Sequence, residues 1–550
     1  MICAAALLTG LVACNKELEN SDISEGQMIN DAIYMHFNLE LPTVKSSTDD
    51  TGHTNSNASP DYEIGLDGEN TVTSILLLLA DNSNGQIIAV SELSPKADAS
   101  KTGYVAKFSS ADIVAFADET LQKNIRSYVI CNPTAALSTT CKDQSFIGQT
   151  IDNLQVDILN ATNDAIWQNG TFMMTNANNT DYLGILPNKN DLKQYSTPQN
   201  SCELTKNGTP ISVERTAARF DYQVHNANKY TLNDNDGQAN VTITLTDMAL
   251  LNLSKKAFAF RRVAASQAAP SVIGGKETKI NYVVDTDWDI KKAYSSTGAA
   301  SNFFYSYEAA NVASASDLAW TKMDSFAQDD NYTPGEYKIW RYASENTIPD
   351  IEHQQKGIST GVVFKGVISA EPSAPEDLKT AITSATKPIY VYQNKLYGDW
   401  ATVKKYAEGV HGPDGISWTI KPDLNLKVAF DKVEAAAALA STGNKDADIA
   451  TAANKSGDFI AYTPSSGKYE VYYYYWNTHN DNGDNTAMGP MEFAVVRNNV
   501  YKLSVTNIGR YGLPAEEPWE PVTPDEESNI YFQVSVKVLP WVVRTHDIEF

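Results

Sequence analysis

At 550 residues with 43 basic and 67 acidic side chains, the chain carries a formal net charge of −24. It is long for one domain, so two or three are expected, and it is too acidic for a nucleic-acid partner, which needs clustered Lys and Arg. An apolar content of 42% with 28 tyrosines and only seven histidines describes a globular chain weighted towards strands and turns.

The chain opens on a short apolar run, Ala4–Ala13, too short to span a bilayer. It ends in Leu11-Val12-Ala13-Cys14, which resembles a bacterial lipobox, where small residues fit the signal peptidase and the thiol takes the lipid. Cys14 is therefore the predicted lipidation site. The usual basic residues before Ala4 are missing, so a start upstream of Met1 is expected. No later segment is long enough to cross a membrane, which leaves a lipid as the only attachment implied.

After a polar stretch at 15–30, residues 32–41 alternate strictly. Ile33, Met35, Phe37, Leu39 and Leu41 lie on one face; Ala32, Tyr34, His36, Asn38 and Glu40 lie on the other. Period two marks a half-buried strand. A tract rich in Ser, Thr, Asp and Asn (46–60) reads as a loop. Strands are expected at Val72–Ala80, Ile87–Val90, Tyr104–Phe108, Ser127–Cys131, Thr171–Thr175 and Ile211–Val224, with a helix at Ala111–Ile125. Further strands follow at Val241–Leu251, Lys279–Val284, Val362–Ser369, Pro388–Tyr392, Lys468–Trp476 and Met491–Ile508, and Val433–Ala453 is the best helix candidate. The pattern predicts an all-β sandwich architecture with minor helical insertions.

Residues 513–528 carry four prolines and six acids, which predicts an extended, semi-rigid linker. Beyond it, Phe532, Val534, Val536 and Val538 alternate with Tyr531, Gln533, Ser535 and Lys537 in a second amphipathic strand. Trp519 and Trp541 flank it as candidate anchors. A detachable strand near each terminus suits a protein that exchanges strands with its neighbours.

Several stretches together resemble one family, the major fimbrillins of Bacteroidia, which are subunits of type V pili, particularly the short-fimbria major subunit. They are the lipobox with CNKE, then YMHFNLELP, PDYEIG, TFMMTN, VERTAARFDY, VYYYYW, VVRNNVYKLSVTNIGRYG, the Pro/Glu linker and VKVLPWVVRTHDIEF. They recur in family order along essentially the whole chain. The resemblance implies two transthyretin-like β-sandwich domains joined near Val213–Tyr222, plus a C-terminal donor strand. The implied division is a signal at 1–14, a propeptide with the first strand at 15–45, domains at 46–213 and 214–512, and linker with donor strand at 513–550.

The resemblance further implies export as a lipoprotein to the outer membrane, then assembly on the cell surface as a fimbrium. A trypsin-like protease removes the first strand, and the tail of another copy fills the groove. Expected partners are other copies, accessory fimbrial subunits, the maturing protease and a host or bacterial surface receptor. No cofactor and no enzymatic activity are expected. Each large apolar side chain is worth roughly 1.5–3 kcal/mol when buried, so one insertion gains on the order of 6–15 kcal/mol before ordering costs. The family commonly presents Arg at the cut, whereas the first arginine here is Arg126. Lys45, alone between Lys16 and Lys96, is the predicted processing point. The alternative is a terminal subunit, tip or anchor, that keeps its first strand.

Other motifs carry less. Gly357-Ile358-Ser359-Thr360-Gly361 matches GxSxG, but the strand follows the serine where a nucleophile elbow needs it before. Asp234–Gly237 and Asp481–Asp484 read as turns, because the first lacks calcium-loop acids at Leu232 and Ile243. The scattered histidines show no ligand spacing; His36 and His546 are expected at exposed or rim positions. Cys131, Cys141 and Cys202 read as buried thiols, with a Cys131–Cys141 bridge as the alternative. Tyr469, Tyr473, Tyr475 and Trp476 read as core, the alternative being a sugar platform on a surface glycan-binding lipoprotein.

Overall fold

A computed structural model describes residues 31–41, 53–54, 65–93, 103–158, 166–167, 171–176, 183–234, 237–264, 272–273, 282–287, 303–304, 319–327, 335–348, 359–440, 442–480, 483–484, 488–489, 491–514, 533–535 and 542–549. The first half supplies strands β1 (Ala32–Glu40), β2 (Ile75–Asp81), β3 (Ile87–Leu93), β4 (Gly103–Ser109), β5 (Lys123–Cys131), β6 (Met174–Asn176), β7 (Leu183–Leu186), β8 (Cys202–Glu203) and β9 (Ile211–Arg215). The second half supplies β10 (Ala218–Tyr222), β11 (Lys229–Asn233), β12 (Ala239–Leu251), β13 (Tyr337–Ala343), β14 (Gly361–Ala370), β15 (Glu470–Trp476) and β16 (Asn499–Asn507). Two tail strands follow, β17 (Gln533–Ser535) and β18 (Val542–Glu549).

Among the described residues, β1–β9 form a nine-stranded sheet in the order β8-β1-β9-β6-β5-β2-β3, with β4 on β1 and β7 on β5. β2 shows why the sequence folds this way. Its run of Ile and Leu is apolar on both faces. Ile75, Leu77 and Leu79 enter the core that receives Ile33, Met35 and Phe37. Leu76, Leu78 and Ala80 enter a second core against Tyr128, Trp167 and Phe260. A strand without a polar face is at rest only when both sides are covered.

The second half closes as a sandwich. A five-stranded sheet (β11-β12-β14-β15, with Thr321–Lys322 on β12) faces a six-stranded one, residues 53–54 then β13-β10-β16-β18-β17. Val241, Ile243, Phe364, Val471 and Tyr473 from the first sheet share one core with Phe220, Tyr222, Tyr501 and Leu503 from the second. Phe220 stacks on Tyr501 at 5.0 Å. The expectation of a mainly β fold with helical insertions is met.

Four expected elements differ, each for a local reason. Ile211–Val224 is two strands, because Thr216 bonds sideways instead of continuing the ladder. Its hydroxyl donates to the Met173 carbonyl at 3.0 Å and accepts from the Trp167 indole at 3.1 Å. The helix at Ala111–Ile125 is only α1 (Ser110–Phe116), since the Asp118 carboxylate accepts the Thr120 and Leu121 amides at 2.9 Å and turns the chain into β5. The Val433–Ala453 helix is broken at a left-handed Gly443 (φ 81°). Met491–Ile508 becomes a strand only from Asn499, after left-handed turns at Met491 and Asn498.

That broken helix belongs to an insertion. β14 and β15 are antiparallel neighbours, and the residues between them form α2 (Glu376–Ser384), α3 (Trp400–Glu408), α4 (Leu424–Ala438) and α5 (Lys445–Ser456), with a small sheet that includes 389–392. Asp423 starts α4 by accepting the Asn425 and Leu426 amides.

The two large sheets meet at β9 and β10 over a buried ion cluster. Arg219 donates to Asp221 through Nε at 2.9 Å and Nη2 at 3.0 Å, and to both Glu69 oxygens at 3.1 Å. Glu69 also accepts from the Tyr342 hydroxyl at 2.7 Å and the Leu66 amide at 2.7 Å. Burial alone would raise the Glu69 pKa. Arg219 and Arg215, with the bonds from Tyr342 and Leu66, outweigh it and hold the carboxyl below its usual range.

Candidate functional site

The first strand is enclosed on both edges. Along one edge β1 runs antiparallel to β4, from Ala32 opposite Ser109 to Asn38 opposite Gly103. Along the other it runs parallel to two short strands in turn. Met35 and His36 register with Cys202 and Glu203 of β8, then Leu39 and Glu40 with Ile211 and Ser212 of β9. Single backbone bonds close the gaps: Tyr34 N–H donates to Tyr195 O at 2.8 Å, Leu204 N–H to His36 O at 2.9 Å, and Ser110 N–H to Asp31 O at 3.2 Å.

The period-two reading of this strand holds for its large side chains, whereas Ala32, expected on the outer face, is buried. Ile33, Met35 and Phe37 are each 1% exposed, and Leu39 and Leu41 are partly buried against the same core. Phe37 stacks on Tyr104 at 5.6 Å. Tyr34, His36 and Asn38 are half-buried and Glu40 is exposed. His36 Nδ1 lies 3.1 Å from both the carbonyl and the hydroxyl of Ser201, and Ser212 donates to Glu40 at 2.6 Å. The site is thus a slot with two backbone edges and an apolar floor of Ile75, Leu77, Leu79, Phe108 and Val129.

Gly184 is a positioning residue that carries no signal in the sequence. A Cβ there would stand 1.9 Å from the Leu204 carbonyl oxygen. Only hydrogen allows the segment around Leu204 to lie against β7 and still donate to His36. Tyr195, Ser201 and Leu204 were also unmarked, because they reach β1 from more than 150 residues away in the chain.

The tail pairs on one body. β18 runs parallel to β16 from Asn499 opposite Val542 to Asn507 opposite Glu549, with a shift after Val505. β17 runs antiparallel to β18, with Gln533, Val534 and Ser535 opposite Glu549, Ile548 and Asp547. The expected strand at 531–538 is described at 533–535; Phe532, Val536, Val538 and Trp541 lie outside the described residues, as do Cys14, Lys45 and Trp519.

The remaining candidates are structural. Tyr469, Tyr473, Tyr475 and Trp476 are each 1% exposed, so no sugar platform exists there and the core reading holds. Cys131, Cys141 and Cys202 are free buried thiols; Cys131 and Cys202 sit in the core under β1 and Cys141 in the neighbouring one, so Cys131 and Cys141 are not bridged. Ser359 is fully buried immediately before β14, with no strand–Ser–helix elbow. Asp234 closes the β11–β12 hairpin, where Gly237 is left-handed at φ 76° and donates to the Asp234 carbonyl. Among the described residues no three His, Cys, Asp or Glu side chains are grouped to hold a metal ion.

Residues 467–547 match the family described as major fimbrial subunit protein type IV, fimbrillin, C-terminal. That segment contains β15, β16 and nearly all of the tail. Among solved structures, a candidate cell adhesion protein of Parabacteroides distasonis is 11% identical with a TM-score of 0.37, covering 94% of this chain and 99% of that one. The tip fimbrial protein Mfa3 of Porphyromonas gingivalis is 8% identical with a TM-score of 0.34, covering 94% and 99%. The fimbrial anchor protein Mfa2 of the same organism is 9% identical with a TM-score of 0.24, covering 64% and 84%. No curated protein matches the chain.

Proposed function

We propose that the chain is a structural, non-enzymatic subunit of a surface fimbria and that it polymerises by strand exchange through the slot that β1 fills; the match of residues 467–547 to the fimbrillin C-terminal family supports this reading. The supporting observation is the enclosure of β1: three fully buried apolar side chains, two backbone edges and, among the described residues, no disulfide across the slot. In this reading the chain is exported as a lipoprotein on Cys14 to the outer membrane and cut after Lys45. The bodies at 46–213 and 214–512 remain as domains.

Loss of β1 uncovers a groove whose refilling recovers roughly 1.5–3 kcal/mol per large apolar side chain. Phe532, Val534, Val536 and Val538 of another copy fill it, and Trp541 anchors the rim. Because the slot and the tail lie on different sheets, one copy accepts at one place and donates from another. Such head-to-tail contacts build a filament when the rotation between copies does not close into a ring, which is the case in this reading. Before exchange the tail is held in cis along β16, from which it must detach.

Two measurements test this. Val536→Asp places a charge on the donated face, and a folded monomer that forms no polymers is expected; normal filaments from this variant would overturn the donor assignment. N-terminal analysis of native material is expected to give a chain beginning at Ser46. A filament-borne chain that retains 31–41 marks a terminal subunit instead.

A further inference from the structure

We propose that the outward face of α4 is a contact between two copies of this chain, packed antiparallel about a twofold axis. The helix is apolar on two opposite sides. Leu426, Ala429, Phe430 and Val433 are buried in the core of the insertion. On the far side Leu424 is 75% exposed, Val428 72% and the C-capping Leu439 88%. Ala435 between them is exposed as well. At about 100° per residue, positions 424, 428, 435 and 439 fall within an arc of about 60°.

The patch is concentrated. Of eight large apolar side chains exposed among the described residues, five lie between 416 and 439, the other two being Ile416 and Trp418. Trp418 converges with Pro422 on Gly409, where a Cβ would meet them at 2.6 and 2.8 Å, so the exposed indole abuts the start of the helix.

Two observations point to a second copy as the occupant, and a third sets the strength of the contact. The stripe is symmetric about its own midpoint. In an antiparallel pair Leu424 faces Leu439 of the other copy and Val428 faces Ala435, since both pairs are centred between residues 431 and 432. Charge permits the approach. Lys421, Lys427 and Lys432 balance Asp423, Asp431 and Glu434, so residues 421–440 are formally neutral in a chain of −24. A neutral stripe adds no like-charge repulsion of its own between two acidic copies. Size sets the strength. Four such side chains expose a few hundred Å² per copy, below the roughly 800 Å² per partner of a stable free complex.

The pair is therefore weak between free molecules and durable where many copies are already held in rows. A twofold contact closes on itself and cannot lengthen a filament; it joins two filaments side by side. Only this last step rests on the strand-exchange reading.

The test uses the full chain as a monomer. In Val428→Cys/Ala435→Cys, each new thiol faces its complement across the axis, and copper-phenanthroline oxidation is expected to give at least tenfold more covalent dimer than Thr451→Cys on the exposed face of α5. Either single variant is expected to cross-link poorly, because equal residues are offset along the axis. Adding Leu424→Glu and Leu439→Glu is expected to abolish the dimer with an unchanged thermal melt. Dimer yield from the double-cysteine chain equal to the Thr451→Cys control overturns the proposal, as does an undiminished yield after the glutamates are added. A wild-type chain that forms no filaments would count against strand exchange, while the monomer cross-link still decides this contact.

Discussion

The first strand and the last are held in different ways. β1 is walled by β4 on one edge and by β8 and β9 on the other, with three side chains sealed in the core. β18 pairs with β16 along the rim of a sandwich, and only the short β17 lies beyond it. An interior strand cannot leave without opening a core, whereas a rim strand can peel residue by residue. The asymmetry suits a molecule in which the first strand is removed by cutting and the last by exchange.

The largest expected effect breaks the comparison at β1. Phe37→Asp places an unpaired charge in the sealed core, so the first body is expected not to fold, as read by loss of protease resistance across residues 65–215. Next comes the joint between the bodies. Arg219→Met removes the buried guanidinium that donates to both Glu69 and Asp221 and is expected to cost about 3–5 kcal/mol in urea unfolding. If the bodies report to each other through Arg219, one transition becomes two.

A smaller effect is acid sensitivity. The Glu69 pKa is depressed in the folded chain, so its contribution is full above the unfolded value, about 4.3, and is lost as pH falls through the folded pKa. The urea midpoint is expected to fall below about pH 4 more steeply in the wild type than in Arg219→Met. Deleting residues 515–550 is expected to cost less than about 2 kcal/mol, since it strips a rim strand. A cost matching that of Phe37→Ala, about 3–5 kcal/mol, would refute the asymmetry.

The finest probe is chemical. Burial pushes the Cys131 and Cys141 thiols up to about 12 and the Cys202 thiol to about 11, so native alkylation at pH 8 is expected to be slow for all three. Cys202 registers with Met35 and shares the β1 core with Cys131. Once β1 is cut away and the slot left empty, Cys202 and Cys131 should label faster while Cys141 stays protected, as read by mass spectrometry.

Much of the fold was legible. Alternation found β1 to within a residue, and the unbroken apolar run found β2, because each period leaves only one way to bury its side chains. The tail strand β18 was not separately legible: Val542, Arg544, His546 and Ile548 alternate with Val543, Thr545, Asp547 and Glu549, and neither set is clearly apolar. Its place comes from the free backbone edge of β16, which no side-chain pattern records. Breaks at Thr216, Asp118 and Asn498 were missed because side-chain bonds and left-handed turns override propensity.

What the sequence by itself determined is the set of faces: which strands have an apolar side, that both termini carry one, and that the surface is acidic. Hydrophobic periodicity is local, so it survives without knowledge of neighbours. Only the tertiary structure decided what those faces meet. The slot needs Tyr195, Leu204 and Ile211 beside β1, and the bare Gly184 that lets them approach, and long-range backbone pairing of this kind leaves no trace in the spacing of residues along the chain.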